Sequence, residues 1–512
     1  MKESIPPILR PDAVTPVALT AIASRFGLTW ATPVSEIAVT GISMNTNDLR
    51  PGDLFVAMPG LKTHGANFVA KALESGAVAV VTDQAGLEIT GALSVPVLLL
   101  EQPRKHIGNL AAFVYGNLPG TMPTLFATTG TNGKTSTSYI LEAILRQMGV
   151  VTGLTSTAER HIAGEVIVSR LTTPESTEMQ ALVARMKEKG VEAVAIEVSA
   201  QALTQLRVDG LYFDVAGFTN LSHDHLDDYR DMDDYLNAKV ALFDPARAGK
   251  AVVSLDSEYG AQVVARSKIE TKTVTIRSDV TADYTVRILE EVPQYTSFEV
   301  HGPQGALTSK LPIIGAHMAS NAGLAIAMLV EAGYEFSAIA AAIASGINAY
   351  LPGRTERVTG ATGPDVYVDF GHSPDAFLNT LAAVRKVTSG KVIMCFGADG
   401  DRDATKRPEM ARVAAAGCDI LVITDHHPRF EDPDSIRRTL VESARALRPE
   451  LEIHEVSPPE AAIRLAVSLA QPGDAILWAG PGHQDYRDIR GVRTPYSARA
   501  EARAALSEQG WS

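Results

Sequence analysis

Short apolar runs alternate along this chain with segments whose apolar positions recur at helical spacing, a pattern that predicts strands and helices in turn. Residues 53–58, 77–81 and 95–100 read as strands, with a helix over 66–75 between the first two. A helix over 104–115 then leads into the apolar run 125–127. Beyond it, Ile140, Ile144, Leu145 and Met148 keep a helical period. Strands at 193–198, 213–219 and 251–255 follow, and alanine-rich helices at 321–330 and 337–345. Strands alternating with helices imply a mostly parallel sheet covered on both faces, with ligands at the carboxyl ends of its strands.

After Leu351-Pro-Gly-Arg354, which reads as a linker, the alternation resumes with strands at 366–370, 391–396, 420–424 and 475–478. This second doubly wound unit has no Gly-x-Gly-x-x-Gly turn after its first strand. The expected architecture is α/β in three parts: a small α/β unit over 1–102, a central parallel-sheet unit over 103–350 and a Rossmann-like unit over 351–512. A length of 512 residues agrees, since one core rarely serves so long a chain.

Composition narrows the function without naming it. The chain is 46% hydrophobic and 21% charged, and its net charge of −13 argues against a duplex nucleic-acid binder. Any anionic substrate must be held by local clusters of Lys and Arg. Two cysteines, Cys395 and Cys418, exclude a disulfide framework and a Cys-rich zinc site. No run approaches the ~18 apolar residues of a membrane span, so no membrane insertion and a cytoplasmic location are expected.

The strand at 125–127 runs into Thr128-Thr129-Gly130-Thr131-Asn132-Gly133-Lys134-Thr135-Ser136, and a helix starts there. A Gly-containing turn between strand and helix, closed by Lys-Thr, is built to cradle phosphates. Backbone N–H groups and the helix dipole attract the oxygens, Lys134 neutralises the β/γ-phosphates and the Thr135 hydroxyl takes a Mg²⁺ position. The generic pattern has Gly where Thr128 stands. The loop predicts a nucleoside triphosphate site.

Three further groups sit at predicted strand ends or on a helix. Glu197 ends a strand and suits a Mg²⁺ ligand. His223-Asp224-His225-Leu226-Asp227 follows another strand, and its dominant carboxylates fit hard Mg²⁺ better than zinc. Lys239 lies on an apolar helix. Residue type leaves it either a snorkelling surface amine or a buried amine of lowered pKa able to react with CO₂.

Taken in order, Thr129–Thr135, Glu197-Val-Ser199, Asn220–Asp227, Ala238-Lys239, Pro352-Gly-Arg354 and Asp369-Phe-Gly-His-Ser-Pro-Asp-Ala376 resemble the Mur ligase family of ATP-dependent amide-bond ligases. The last motif resembles the MurE type, which adds the third residue of the peptidoglycan stem peptide, and the opening 41–57 resembles the uridine-binding domain that MurE and MurF share. The resemblance spans essentially the whole chain.

It implies ATP and two Mg²⁺ ions, with Gly130, Thr131, Asn132, Gly133, Lys134, Thr135 and Ser136 around the phosphates. Asn321 would lie by the adenine, Arg354 by the phosphates and Asp369 by the ribose. Thr135, Glu197, His225 and Lys239, the last carbamylated by CO₂, would hold the metal, with Lys134, Glu197, His225 and Lys239 as the catalytic set. Ser43, Thr172, Thr173, Ser199 and Arg207 would meet the UDP-muramoyl peptide, and Asp425, His427, Arg429, Gly480 and Gln484 the incoming amino acid. The implied partners are UDP-N-acetylmuramoyl-L-alanyl-D-glutamate and an amino acid, on a monomer.

Several positions depart from the family. Ser199-Ala200-Gln201 replaces Ser-Ser-His, Met318 stands for a common Asn, Asp425-His426-His427-Pro428-Arg429 replaces Asp-Asn-Pro-Arg, and Gln484 replaces a Glu. Arg429 favours a distal carboxylate, whereas Gln484 lacks the charge that would meet a distal ammonium, so the added amino acid stays open. A folylpolyglutamate-synthetase-like ligase shares the P-loop logic but needs a different first domain. A P-loop motor or switch lacks its base-reading motif here, and a non-catalytic paralogue would not need Lys134, Glu197, His225 and Lys239 together.

Overall fold

The computed structural model describes residues 8–60, 62–224, 228–360 and 362–511, so His225 and the two residues after it lie outside the described residues. Three sheets carry the architecture, each seeded by buried apolar runs.

The first holds five strands in the order Thr29–Trp30, Val97–Leu99, Ala79–Thr82, Asp53–Ala57, Gly41–Ser43, parallel except for the first pair. All five residues of Asp53–Ala57 are buried. Asp53 is tolerated there because Arg10 reaches in from the chain start and pairs with it at 2.7 Å. The helix expected over 66–75 starts as a 3₁₀ turn, Gly65–Phe68, and continues as Val69–Glu74.

The central sheet has eleven strands. Its parallel core runs Thr152–Thr155, Ala193–Glu197, Thr124–Thr129, Phe213–Phe218, Ala248–Ser254, Glu270–Thr275. Both faces are covered, as the near-continuous apolar strands require. Lys134–Gln147 and Ala316–Glu331 pack on one face, Ser176–Glu188 and Met232–Val240 on the other. Edge additions were not foreseen from the apolar pattern: the antiparallel hairpin Glu159–Ile162/Glu165–Val168 at one edge, and at the other Tyr284–Val292, parallel to Glu270–Thr275, followed by the antiparallel Tyr295–Gly302 and Gly305–Leu311.

The third sheet has the order Glu356–Arg357, Asp365–Asp369, Ala475–Ala479, Val392–Phe396, Ile420–Ile423, Glu452–Glu455, parallel except for the first pair. Separate apolar cores fill its two faces. The expected α/β architecture with a parallel-rich central sheet and a C-terminal sheet unit is the one observed. Among the described residues, no helix is long and apolar enough to cross a membrane.

Candidate active site

Strand register brings the polar ends together. Glu197 pairs with Thr128 and Phe218 with Thr129, so the loops after three adjacent strands open at one place. The loop from Gly130 to Gly133 cannot take side chains at its glycines. Gly130 has φ +149°, and a Cβ there would lie 1.9 Å from Thr219 Oγ1; Gly133 has φ +86°, with Asn321 Oδ1 2.6 Å from its would-be Cβ. The next strand's loop pins this backbone: Thr131 N–H donates to the Asn220 carbonyl at 2.9 Å, Asn132 N–H to Asn220 Oδ1 at 3.0 Å, and the Thr219 hydroxyl to the Asn132 carbonyl at 2.6 Å. The helix Lys134–Gln147 therefore begins with free N–H groups facing a fixed hollow, the arrangement that attracts phosphate.

Two amines lie at this hollow. Lys134 Nζ donates to the carbonyls of Gly130 and Thr131, both at 2.9 Å. Lys239 is buried, donates to the same Gly130 carbonyl at 2.8 Å and lies 4.3 Å above the Tyr235 ring. Burial lowers the pKa of both; for Lys239 the fall is large, with the Lys134 charge adding to it and Asp224 opposing.

Glu197 is fully buried. Its Oε2 accepts from the Thr157 hydroxyl at 2.8 Å, while Oε1 is buried without a partner among the described residues. An orphaned carboxylate oxygen at the end of the strand paired with Thr124–Thr129, taken with the Thr135 hydroxyl at the start of the loop helix, is a donor set that fits a hard divalent cation. Among the neighbours of His225, Asp224 accepts from Lys406 Nζ at 2.8 Å and lies 3.8 Å from His372 Nε2.

The third unit closes over the loop. Arg354 Nη2 donates to Thr135 Oγ1 at 2.9 Å, with its guanidinium 4.3 Å from the Phe370 ring centre. Asn132 Nδ2 donates to Asp375 Oδ2 at 2.9 Å across the same gap. Asp369 is held by N–H groups of Thr355 at 2.8 Å and Gly371 at 2.7 Å. The result is a cleft of about 690 Å³ between the central and third units.

That cleft gathers the loop residues 131–136 with Asn321, Arg354, Asp369, Thr172, Thr173, Ser199, Arg207, His427, Arg429, Gly480 and Gln484. Thr173 Oγ1 bridges two chain segments, donating to the Glu197 carbonyl at 2.8 Å and accepting from Ser199 N–H at 3.1 Å. Arg207 pairs with Glu175 at 2.8 Å. Ser43 is not brought into the wall: it is buried at the end of its strand, with Oγ accepting from Asn45 N–H at 3.1 Å. Asp425 is also turned away, its two oxygens taken by Arg437 and, at 2.6 Å, by the Ser457 hydroxyl. The nearly buried Arg437 cation needs that anion, which leaves Asp425 none to offer the cleft.

The far wall is a relay of side chains. Asp488 N–H donates to His427 Nδ1 at 2.9 Å, and His427 Nε2–H donates to Gln484 Oε1 at 2.7 Å. Burial, reinforced by the charge of His426, pushes His427 down to about 4, so its ring is neutral at neutral pH and carries its hydrogen on Nε2. Arg429, at φ +52°, has a buried Nε without a partner among the described residues. Asp399, Asp375, Thr157 and Lys406 also line or brace the cleft but were not foreseen. For Asp399 a signal existed: it follows the strand Val392–Phe396 at its carboxyl end.

Comparison with known proteins covers all three units. Family models described as Mur ligase family, catalytic domain, Mur ligase middle domain, and Mur ligase, glutamate ligase domain match residues 38–115, 128–329 and 353–482. The chain is 52% identical to a UDP-N-acetylmuramyl-tripeptide synthetase of Leifsonia xyli over 99% of both chains. It is 41% identical to a UDP-N-acetylmuramoyl-L-alanyl-D-glutamate–2,6-diaminopimelate ligase of Streptomyces avermitilis over 98% of both. A solved structure of a ligase of that second kind superposes with a TM-score of 0.67 at 24% identity, covering 97% of this chain and 100% of the other.

Proposed function

This chain belongs to the Mur ligase family of ATP-dependent ligases, and from that premise we propose that it joins an amino acid to the D-glutamate carboxylate of UDP-N-acetylmuramoyl-L-alanyl-D-glutamate, making the tripeptide precursor of peptidoglycan. The added residue is a diamino acid, and the reaction passes through an acyl phosphate. One observation carries this reading: a phosphate-cradling loop with Arg354 bonded at the start of its helix faces, across one cleft, a wall bearing a guanidinium nitrogen without a partner among the described residues.

In this reading the three domains are 1–102, 103–350 and 351–512, and they bind the UDP end, ATP and the amino acid respectively. The loop 130–136 holds the triphosphate, Asn321 lies by the adenine and Asp369 takes the ribose. Thr172, Thr173, Ser199 and Arg207 hold the muramoyl peptide near Glu197. Lys134 and Arg354 neutralise charge that grows on the transferring phosphoryl group. Arg429 takes a carboxylate of the incoming amino acid, placing its amine against the activated carbonyl. Closure of the third domain excludes water, which would otherwise hydrolyse the mixed anhydride.

Thr135, Glu197, His225 and carbamylated Lys239 suit two Mg²⁺ ions, which when bound supply charge neutralisation for the phosphates. Carbamylation is consistent with the Lys239 geometry. A neutral Nζ attacks CO₂ and loses one proton, and the remaining N–H still serves the Gly130 carbonyl 2.8 Å away. The enzyme works as a monomer in the cytoplasm.

The test is phosphate release from ATP. Release that requires both the UDP-muramoyl dipeptide and an amino acid supports the reading; turnover indifferent to either overturns it.

A further inference from the structure

The wall that faces the incoming amino acid contains both charges, and their state of engagement differs. Gln484 would be the natural acceptor for a side-chain ammonium, yet its Oε1 is occupied by His427 Nε2–H at 2.7 Å. Since His427 Nδ1 is itself taken by a backbone N–H, the ring cannot flip its hydrogen, and Gln484 presents only its NH₂ to the cleft. Gln484 and Arg429 are therefore both donors and suit a carboxylate.

An ammonium needs an anion elsewhere on this wall. Each oxygen of Asp369 already accepts a backbone N–H and its remaining capacity is assigned to the ribose, and Asp375 is held by Asn132. Asp399 differs. It lines the cleft, and its Oδ1 accepts from His426 Nδ1–H at 2.8 Å, while its Oδ2 has no hydrogen-bond partner among the described residues. Gly400 N–H donates to the His427 carbonyl at 2.8 Å, which sews the Asp399 loop to the His426–Arg429 loop. The His426 and His427 rings lie 4.1 Å apart, so Asp399, His426, His427 and Gln484 form one continuous face. Burial works to raise the Asp399 pKa, but the charge and hydrogen bond of His426 outweigh it and lower it overall.

We propose that Asp399 is the specificity-determining residue that binds the side-chain ammonium of the incoming amino acid, with His426 as the positioning residue that aims its carboxylate and Arg429 and Gln484 holding a carboxylate alongside. The inference rests on the ligase reading above. It makes the substrate a diamino acid whose second amine is read from the loop after Val392–Phe396 rather than from position 484.

The test measures ligation by the full-length enzyme with meso-diaminopimelate, 2,4-diaminobutyrate, ornithine and lysine against 2-aminopimelate, 2-aminobutyrate, norvaline and norleucine, which lack the second amine. Asp399→Asn should raise KM for the preferred diamino acid by about 30-fold or more while leaving the KM for ATP within about threefold, and should erase its advantage over the amine-free analogue. His426→Gln should raise the same KM with kcat largely kept. Asp399→Glu, one methylene longer, should shift preference toward a shorter diamino acid, a change that mere loss of folding cannot produce. Unchanged discrimination in all three variants, or equal losses for substrates with and without the second amine, overturns the inference alone. A wild-type enzyme that ligates none of the panel overturns the ligase reading with it.

Discussion

Lys134 and Lys239 place their terminal nitrogens on a single acceptor, the Gly130 carbonyl, at 2.9 and 2.8 Å. Two ammonium groups at such a distance repel strongly in a buried setting, so one of the pair is driven to the neutral amine. Lys239 has the larger fall and no anion within its own hydrogen bonds, which makes it the nucleophilic member.

That asymmetry predicts a carbamate on Lys239. Intact mass under native, bicarbonate-rich conditions should show a species about 44 Da heavier, absent from Lys239→Met. Activity should fall by at least ~100-fold in that variant, because the charge-neutralising centre is lost. A bare lysine of unchanged mass together with full activity would contradict the assignment.

Gly130→Ala should weaken ATP binding by at least ~10-fold, since the loop must shift where Thr219 Oγ1 already lies 1.9 Å from the new methyl group. Calorimetric titration with ATP reads this directly. Affinity equal to wild type would show that the hollow is not the phosphate site.

Arg429→Ala should raise KM for the amino acid by ~100-fold or more while changing KM for ATP little, because Arg429 lines the cleft on the wall opposite the phosphate loop. Equal effects on both substrates would remove Arg429 from amino-acid recognition.

A stability prediction concerns a network under the loop helix. Burial lowers the His161 pKa, but hydrogen bonds with Glu142 at 2.9 Å and Glu159 at 3.3 Å outweigh it and raise the imidazole to about 9. A raised folded-state pKa stabilises fully below the unfolded value near ~6.5, and that contribution disappears as pH rises through about 9. The loss is about 3 kcal/mol over that window. Urea melts of wild type and His161→Asn at pH values on either side should converge on the alkaline side; a constant gap would contradict it.

Much of the site was legible because its chemistry is local. The phosphate loop, Glu197 and Lys239 sit at strand ends or on a helix that apolar periodicity locates, and strand register then brings them together. Features made by distant pairing were not legible. Asp425 looks like a ligand until Arg437, twelve positions on, is seen to occupy it. Ser43 is spent on its own turn. The antiparallel hairpins at both sheet edges carry mixed, partly exposed residues that leave a weak period. Asp399 acquires meaning only once His427 is known to consume the Gln484 oxygen.

The central claim is that this cleft turns a carboxylate into a mixed anhydride with phosphate before an amine displaces it. If so, the phosphate released must carry away one oxygen from the substrate's D-glutamate carboxylate. The direct measurement uses UDP-muramoyl dipeptide labelled with heavy oxygen in that carboxylate, and mass analysis of the phosphate formed with ATP and a diamino acid. One labelled oxygen per phosphate is the predicted result; unlabelled phosphate alongside full amide formation would contradict the account.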